Sequence, residues 1–188
     1  EIYVDEVQAS HGATVGKLFG FGRAMRGGVG SASLCVDGLT VGALVAVNAI
    51  GDVFDAHGEV IAGARGDDGS GLAHGMRTLA AGGAPASVIA GSSTTIGVVA
   101  TNAALSKAQT TQLASLAHHG LSRAVNPLTV NDGDTFFALA TGAAGRPGEL
   151  SVLGALAAEA VAFAIRNAVW AAVSLHSPAL PAARDLVR

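Results

Sequence analysis

One stretch limits what this chain can fold into more than any other. Residues 151–175, SVLGALAAEAVAFAIRNAVWAAVSL, are too apolar to lie on a surface. Glu159 and Arg166 interrupt them, so no uncharged run inside the stretch reaches the roughly 18 residues that a membrane span needs. It reads as a long buried helix. Glu159 and Arg166 are two turns apart and share one face, which is expected to meet solvent or a partner. A buried helix needs a surface to pack on, and large side chains are scarce: 6 Phe, 1 Trp and 1 Tyr. The core must therefore be filled by alanine, valine and other small residues. The 26 glycines, about double the usual share, point to tight turns and close packing of elements.

Half the residues are apolar and 13% are charged, as in a packed globular chain. The length suits a single domain over residues 1–188. Net charge is -3, and no Lys/Arg cluster marks a nucleic-acid surface. Neither a nucleic-acid nor a membrane partner is expected. Cys35, the single cysteine, sits in the apolar run SLCV and reads as a small core residue. It cannot form an internal disulfide, in keeping with a reducing, cytoplasmic compartment. The first residues, EIYVDEVQAS, carry acid where a secretory signal carries base.

Along the chain, residues 11–30 read as a long glycine-rich loop. SASLCVDG and TVGALVAVNAIGDV read as two strands joined at Asp37-Gly38, a dipeptide favoured in tight hairpins. The near-continuous run Val41, Leu44, Val45 and Val47 suggests a strand covered on both faces. EVIAG, 59–63, is a third short strand. Residues 64–92 read as a flexible surface segment with a short helix near 72–81. TTIGVVAT, 94–101, is a strand. Ser106 caps a helix running to about Val125, with Leu113, Leu116, Ala117, Leu121 and Ala124 on one stripe. A turn at 131–134 leads into the strand TFFALATG. This order suggests an α/β or α+β layered sandwich.

Several motifs fail on inspection. GATVGK, 12–17, has three residues between its glycines where a phosphate loop has four, and Leu18 follows its lysine. GFGRAM, 20–25, lacks the third glycine of a dinucleotide fingerprint. The histidines form no HExxH set, and a single cysteine argues against a structural zinc site. His118 and His119 are about 100° apart on a helix, so they read as helix surface. No G-x-S-x-G elbow occurs. Four features are left, each with a plain reading by itself. Ser92-Ser93-Thr94-Thr95 is a polar turn into a strand, and Asp132 and Asp134 shape an Asx turn. Asn48 ends a strand, and Lys17 is a loop charge.

Together these features carry a resemblance. TTIGVVATNAALSKAQTTQLASLAHHGLSRAVNPLTVNDGDTFFALATG, 94–142, resembles the self-processing β-aminopeptidase and D-aminopeptidase-esterase family that includes the nylon-oligomer hydrolases. GATVGKL, RGGVGSAS and VGALVAVNAIGD, within 12–52, are similar to the segment that precedes it there. The likeness covers about 12–175. It implies an αββα sandwich of the N-terminal-nucleophile hydrolase type. Family precursors carry a larger portion ahead of GATVGK than the eleven residues here, so the resemblance implies that part of the sandwich is missing.

The resemblance also implies roles. Family precursors cut themselves before a Ser or Thr, which becomes the nucleophile of a small β subunit. The match makes Thr94 that residue, with processing between Ser93 and Thr94. Residues 1–93 would close the α subunit and 94–188 form the β subunit. Many threonine members carry Asn before the cut. This chain has Ser93, which leaves Ser93 as an alternative register. Threonine is a weak nucleophile, and a free α-amine on the same residue can act as its base. A mobile segment ahead of the cut would allow the N-to-O acyl shift. By the same match, Asn48 helps bind the oxyanion, and Lys17 lowers the pKa of the amine. Asp132 and Asp134 orient the nucleophile and its amine. A family tyrosine at the oxyanion lies ahead of the matching stretch, and Tyr3 does not match it.

The implied reaction is hydrolysis of short peptides or of ω-amino-acid oligomers such as 6-aminohexanoate oligomers, through a threonine acyl-enzyme. No metal or organic cofactor is implied, and a tetramer of αβ units is expected. The alternatives are an aminopeptidase on α-, β- or D-residue peptides with the same machinery, and an unprocessed fragment serving as a structural oligomer subunit.

Overall fold

The computed structural model describes residues 12–87, 91–177 and 179–186. Two short strands come first, β1 (Thr14–Val15) and β2 (Met25–Arg26), paired antiparallel with a 3-10 turn at Phe21–Arg23 between them. Then come β3 (Gly28–Val36), β4 (Leu39–Val47), β5 (Asp52–Phe54), β6 (Val60–Ala62) and α1 (Gly75–Ala80). The second half holds β7 (Ile96–Thr101), α2 (Lys107–Ala117), α3 (His119–Ala124), β8 (Val125–Asn126), β9 (Thr135–Ala140) and α4 (Leu150–Ala171). A small hairpin, β10 (Leu175–His176) and β11 (Ala179–Leu180), and the short α5 (Ala183–Leu186) finish it.

The main sheet has the order β3-β4-β7-β9. β3 and β4 form the expected hairpin, with Asp37 at φ 50° and Gly38 at φ 75°. Two successive positive φ values suit a tight hairpin turn. β7 pairs antiparallel with β4 and parallel with β9. The crossover from β7 to β9 passes through α2 and α3, because parallel neighbours cannot be joined by a tight turn. A second sheet has the order β6-β5-β8.

α4 is the spine of the core. By length and composition it could cross a membrane. Eleven of its residues are instead buried, among them Leu153, Val161, Ile165 and Val169. The stripe packs on β3 and β4, beside α2 and α3. Small residues make this approach possible. A Cβ at Gly30 of β3 would lie 2.1 Å from the Ala164 carbonyl oxygen of α4. Glu149 caps α4, its carboxylate accepting from the Val152 N–H at 3.0 Å.

Several expectations change here. Residues 12–30 are not one loop, since they hold β1, the 3-10 turn, β2 and the start of β3. The run 40–53 splits into β4 and β5, which belong to different sheets. The capped helix stops at Ala117, where His118 separates α2 from α3. Gly120 then presses against α4, where a Cβ would lie 2.2 Å from the Ala158 carbonyl oxygen. The face carrying Glu159 and Arg166 packs on neighbouring segments. Glu159 pairs with Arg123 at 2.6 Å, and Arg166 donates to the carbonyl oxygens of Phe54, Asp55 and Arg123.

β4 is covered on one face only. Val41, Val45 and Val47 are buried beneath the helices, while Leu44 points the other way and is 49% exposed. Ile96, Phe137 and Leu139 are exposed on the same outer face. Cys35 lies there too and is exposed, because strand side chains alternate and its neighbours on the core face are even-numbered. Gly42→Ala on that outer face should leave stability within about 0.5 kcal/mol. Gly30→Ala should lower the unfolding free energy by about 3 kcal/mol or more, as read by urea denaturation.

Candidate active site

Three segments meet at one end of the main sheet: the chain leaving β4, the chain entering β7 and the turn before β9. The parallel pairing of β7 and β9 starts at Ile96 and Thr135. Its alignment continues upstream of both strands. The Thr135 N–H donates to the Thr95 carbonyl, and the Gly133 N–H donates to the Ser93 carbonyl, each at 3.0 Å. Between these two bonds the Asp134 carboxylate accepts from the Thr95 N–H at 2.7 Å. The bond Ser93–Thr94 thus lies alongside the Asp-Gly-Asp turn.

Lys17 enters from another element. Gly16 has φ 71°, and a Cβ on it would lie 2.0 Å from the Gly63 carbonyl carbon, so only glycine makes this turn. The N–H groups of Gly16 and Lys17 donate to the carbonyls of Gly51 and Ile50 at 2.9 and 2.8 Å. The Lys17 side chain is fully buried. Its Nζ donates to Asn48 Oδ1 at 2.7 Å, to the Asn48 carbonyl at 3.3 Å and to the Ser92 carbonyl at 3.5 Å. The Phe21 ring lies 5.7 Å from the ammonium. Burial pulls the Lys17 pKa down from 10.5 to about 8, although Asp132 and Asp134 favour the charged form.

Asn48 has one possible orientation. Its Oδ1 accepts from the Thr14 N–H at 3.1 Å and from the Lys17 ammonium. Its Nδ2 must then be the donor that meets the Ser92 carbonyl at 3.2 Å. The amide expected at the oxyanion therefore sits one carbonyl upstream of the Ser93–Thr94 bond. The two aspartates divide the work. Asp132 Oδ1 accepts from the Ile50 N–H at 3.0 Å, and its Oδ2 from the Thr129 N–H and hydroxyl. It clamps the turn to the segment after β4. Asp134 holds Thr95, the residue after the expected nucleophile. Burial pushes its pKa up, the Thr95 N–H opposes that, Asp132 adds to it and His118 offsets it.

The two candidate hydroxyls differ. Thr94 is half-buried, and its Oγ1 donates to the Ser93 carbonyl at 2.8 Å. Ser93 is fully buried, and its Oγ has no hydrogen-bond partner. Thus Lys17, Asn48, Ser93, Thr94, Asp132 and Asp134 are brought together. Tyr3 lies outside the described residues. Sequence reasoning missed Thr14 and Thr129, and read Thr95, whose hydroxyl accepts from the Asn48 N–H at 3.4 Å, only as part of a polar turn. It also missed Gly133, although the glycine between two aspartates was visible. Among the described residues no group of His, Cys, Asp or Glu is placed to hold a metal ion.

The layered α and β architecture is that of solved aminopeptidases of the N-terminal-nucleophile hydrolase fold. The pattern of peptidase family S58 matches residues 8–179, and the chain belongs to that family. It is similar to an uncharacterized aminopeptidase of Mycobacterium bovis, 38% identical over 187 residues, covering 87% of this chain and 53% of that protein. A Burkholderia sp. beta-aminopeptidase structure matches with TM-score 0.52 and 31% identity, over 77% of this chain and 42% of its own. The Ochrobactrum anthropi l-aminopeptidase d-ala-esterase/amidase, described as a new variant among the Ntn hydrolase fold, matches with TM-score 0.51. Its 24% identity, over 79% of this chain and 41% of that one, speaks for the fold alone. The chain spans about half the length of the curated relatives it matches.

The buried lysine has a consequence for stability. Its native pKa, about 8, lies below the 10.5 it has when solvated, so the unfolded chain binds more protons between these values. The penalty for burying the charge is full below about pH 8 and fades as pH rises towards 10.5. Comparing urea unfolding of parent and Lys17→Met, the difference should shift in the parent's favour from pH 8 to 10.

Proposed function

We propose that this chain carries the catalytic centre of a self-processing aminopeptidase with Thr94 as its N-terminal nucleophile. One observation carries the reading: Thr94 Oγ1 lies 2.8 Å from the carbonyl oxygen of the residue before it. The hydrogen bond holds the hydroxyl beside the Ser93 carbonyl, and a turn about the Thr94 Cα–Cβ bond would carry it from the oxygen towards the carbon for the shift of the acyl group from nitrogen to oxygen. The buried Ser93 hydroxyl makes no hydrogen bond to the carbonyl at the cut or to any other group, which favours the Thr94 register.

Hydrolysis of the ester would leave Thr94 with a free α-amine. Such an amine titrates at about pH 8, suited to taking the hydroxyl proton at neutral pH. Lys17, on the Ser92 carbonyl, supplies a nearby cation that would lower that pKa, and Asp134 anchors the adjoining Thr95 N–H. Once the upstream segment withdraws, Asn48 Nδ2 loses its Ser92 partner and becomes a donor for a substrate carbonyl. The substrate would acylate Thr94 Oγ1, release its amine portion, and leave by reaction with water.

The substrates of this reading are short peptides with a free amino end. The name of the Burkholderia relative points towards β-residue peptides. Oligomers of ω-amino acids such as 6-aminohexanoate carry the same pair of groups, an amine and a scissile amide, and belong in the same assay.

Intact mass and N-terminal sequencing of the incubated chain should give two pieces, the second beginning at Thr94. Thr94→Ala should stay whole and lack hydrolysis of aminoacyl anilides, whereas Ser93→Ala should still be cut. A whole parent chain, or a cut Thr94→Ala chain, would overturn the assignment.

A further inference from the structure

The oxyanion of the self-cleavage step needs its own donor. The side chain expected to serve, Asn48, is engaged with the Ser92 carbonyl. The carbonyl that Thr94 would attack is that of Ser93, and the Gly133 N–H donates to its oxygen at 3.0 Å. We propose that Gly133 serves the self-cleavage of the Ser93–Thr94 bond through its backbone N–H, which binds the oxyanion, and through its missing side chain, which leaves room for the Thr94 hydroxyl. This rests on the reading of Thr94 as the self-processing nucleophile.

Both halves have a geometric basis. As Thr94 Oγ1 bonds to the Ser93 carbonyl carbon, negative charge gathers on the carbonyl oxygen, where the Gly133 N–H already points. The C–N bond to Thr94 then breaks, and the proton of the hydroxyl ends on the released amine. Water next adds to the ester, giving the Ser93 carboxylate and restoring the hydroxyl. The donor needs no movement, since the parallel alignment of 93–95 with 133–135 holds it in place. A donor already aimed at the developing charge is where electrostatic catalysis is most effective.

The space requirement is separate. A Cβ at Gly133 would lie 2.7 Å from Thr94 Oγ1, while Thr94 Cβ and Cγ2 would be at an ordinary 3.8 Å. Gly133 is not among the glycines with positive φ. Its backbone would accept alanine, so the conflict is with the reacting oxygen and not with the fold.

The test is the cleavage rate of the full chain made by cell-free synthesis and followed by intact mass. Glycolic acid at position 133 replaces the N–H with an ester oxygen and adds no side chain. It should slow cleavage about a hundredfold. The hydroxy-acid counterpart of threonine at 135 removes the next bond of the same ladder and should cut near the parent rate. Gly133→Ala should cut at least about tenfold more slowly, with Gly42→Ala at the parent rate. Parent-rate cleavage with glycolic acid at 133, or equal slowing at 133 and 135, overturns the donor role and leaves Thr94 standing. A parent chain that is never cut at Ser93–Thr94 overturns both.

Discussion

The arrangement at the sheet end depends on one buried charge. An ammonium taken out of water must find oxygen atoms, or its burial costs several kcal/mol. Lys17 finds them on Asn48 and Ser92, and so fixes where two distant chain segments sit relative to each other. Asn48 cannot turn, because the Thr14 N–H and the Lys17 ammonium both claim its oxygen. Its nitrogen is left facing the Ser92 carbonyl. The segment before Thr94 is thereby held from one side by a charge and from the other by the Asp-Gly-Asp turn. Burial and the two aspartates act on this lysine in opposite directions, and burial wins, leaving its pKa at about 8.

Sheet pairing does the rest of the positioning. Backbone N–H and carbonyl groups inside a fold must be paired, and the parallel ladder satisfies Ser93 and Thr95 with the backbone of 133 and 135. A bond fixed in such a ladder has its carbonyl oxygen already hydrogen-bonded and the Thr94 hydroxyl held beside that oxygen. Structural pairing and chemical polarisation are here the same contact. The turn supplying it is stiffened by Asp132, whose two oxygens join Ile50 and Thr129. Asp52 performs a similar service further out. It is almost fully buried and accepts from the N–H groups of Ala64 and Gly75, binding the segment before α1 to β5.

The long helix, the Asp37-Gly38 hairpin, the Ser106 cap and the strands 96–101 and 135–140 were legible from local pattern alone. Periodicity, turn chemistry and capping are short-range signals. The misreadings were long-range. Val41 to Val47 looked like a doubly covered strand, because an apolar run does not say which face meets a helix. Cys35 looked like a core residue for the same reason, and register placed it outward. Glu159 and Arg166 were expected to meet solvent or a partner, and the groups they bind lie on α3 and at the end of β5, far away in sequence. In the site, side chains of chemical character stood out and family likeness grouped them. Thr14, Thr95, Thr129 and Gly133 did not, since a backbone N–H or an absent Cβ leaves no mark in composition.

By itself, then, the sequence determined which elements form and which side chains carry chemistry, because turns, caps and periodicity act over a few residues. It also determined that a helix of small residues would be the core, since no other stretch was apolar enough. The tertiary structure alone decided which carbonyl each donor meets. Asn48 lies on Ser92 and Gly133 on Ser93, a one-residue difference set by the registers of β4 and of β9 on either side of β7. Register is a property of two strands together, and neither strand's sequence states it.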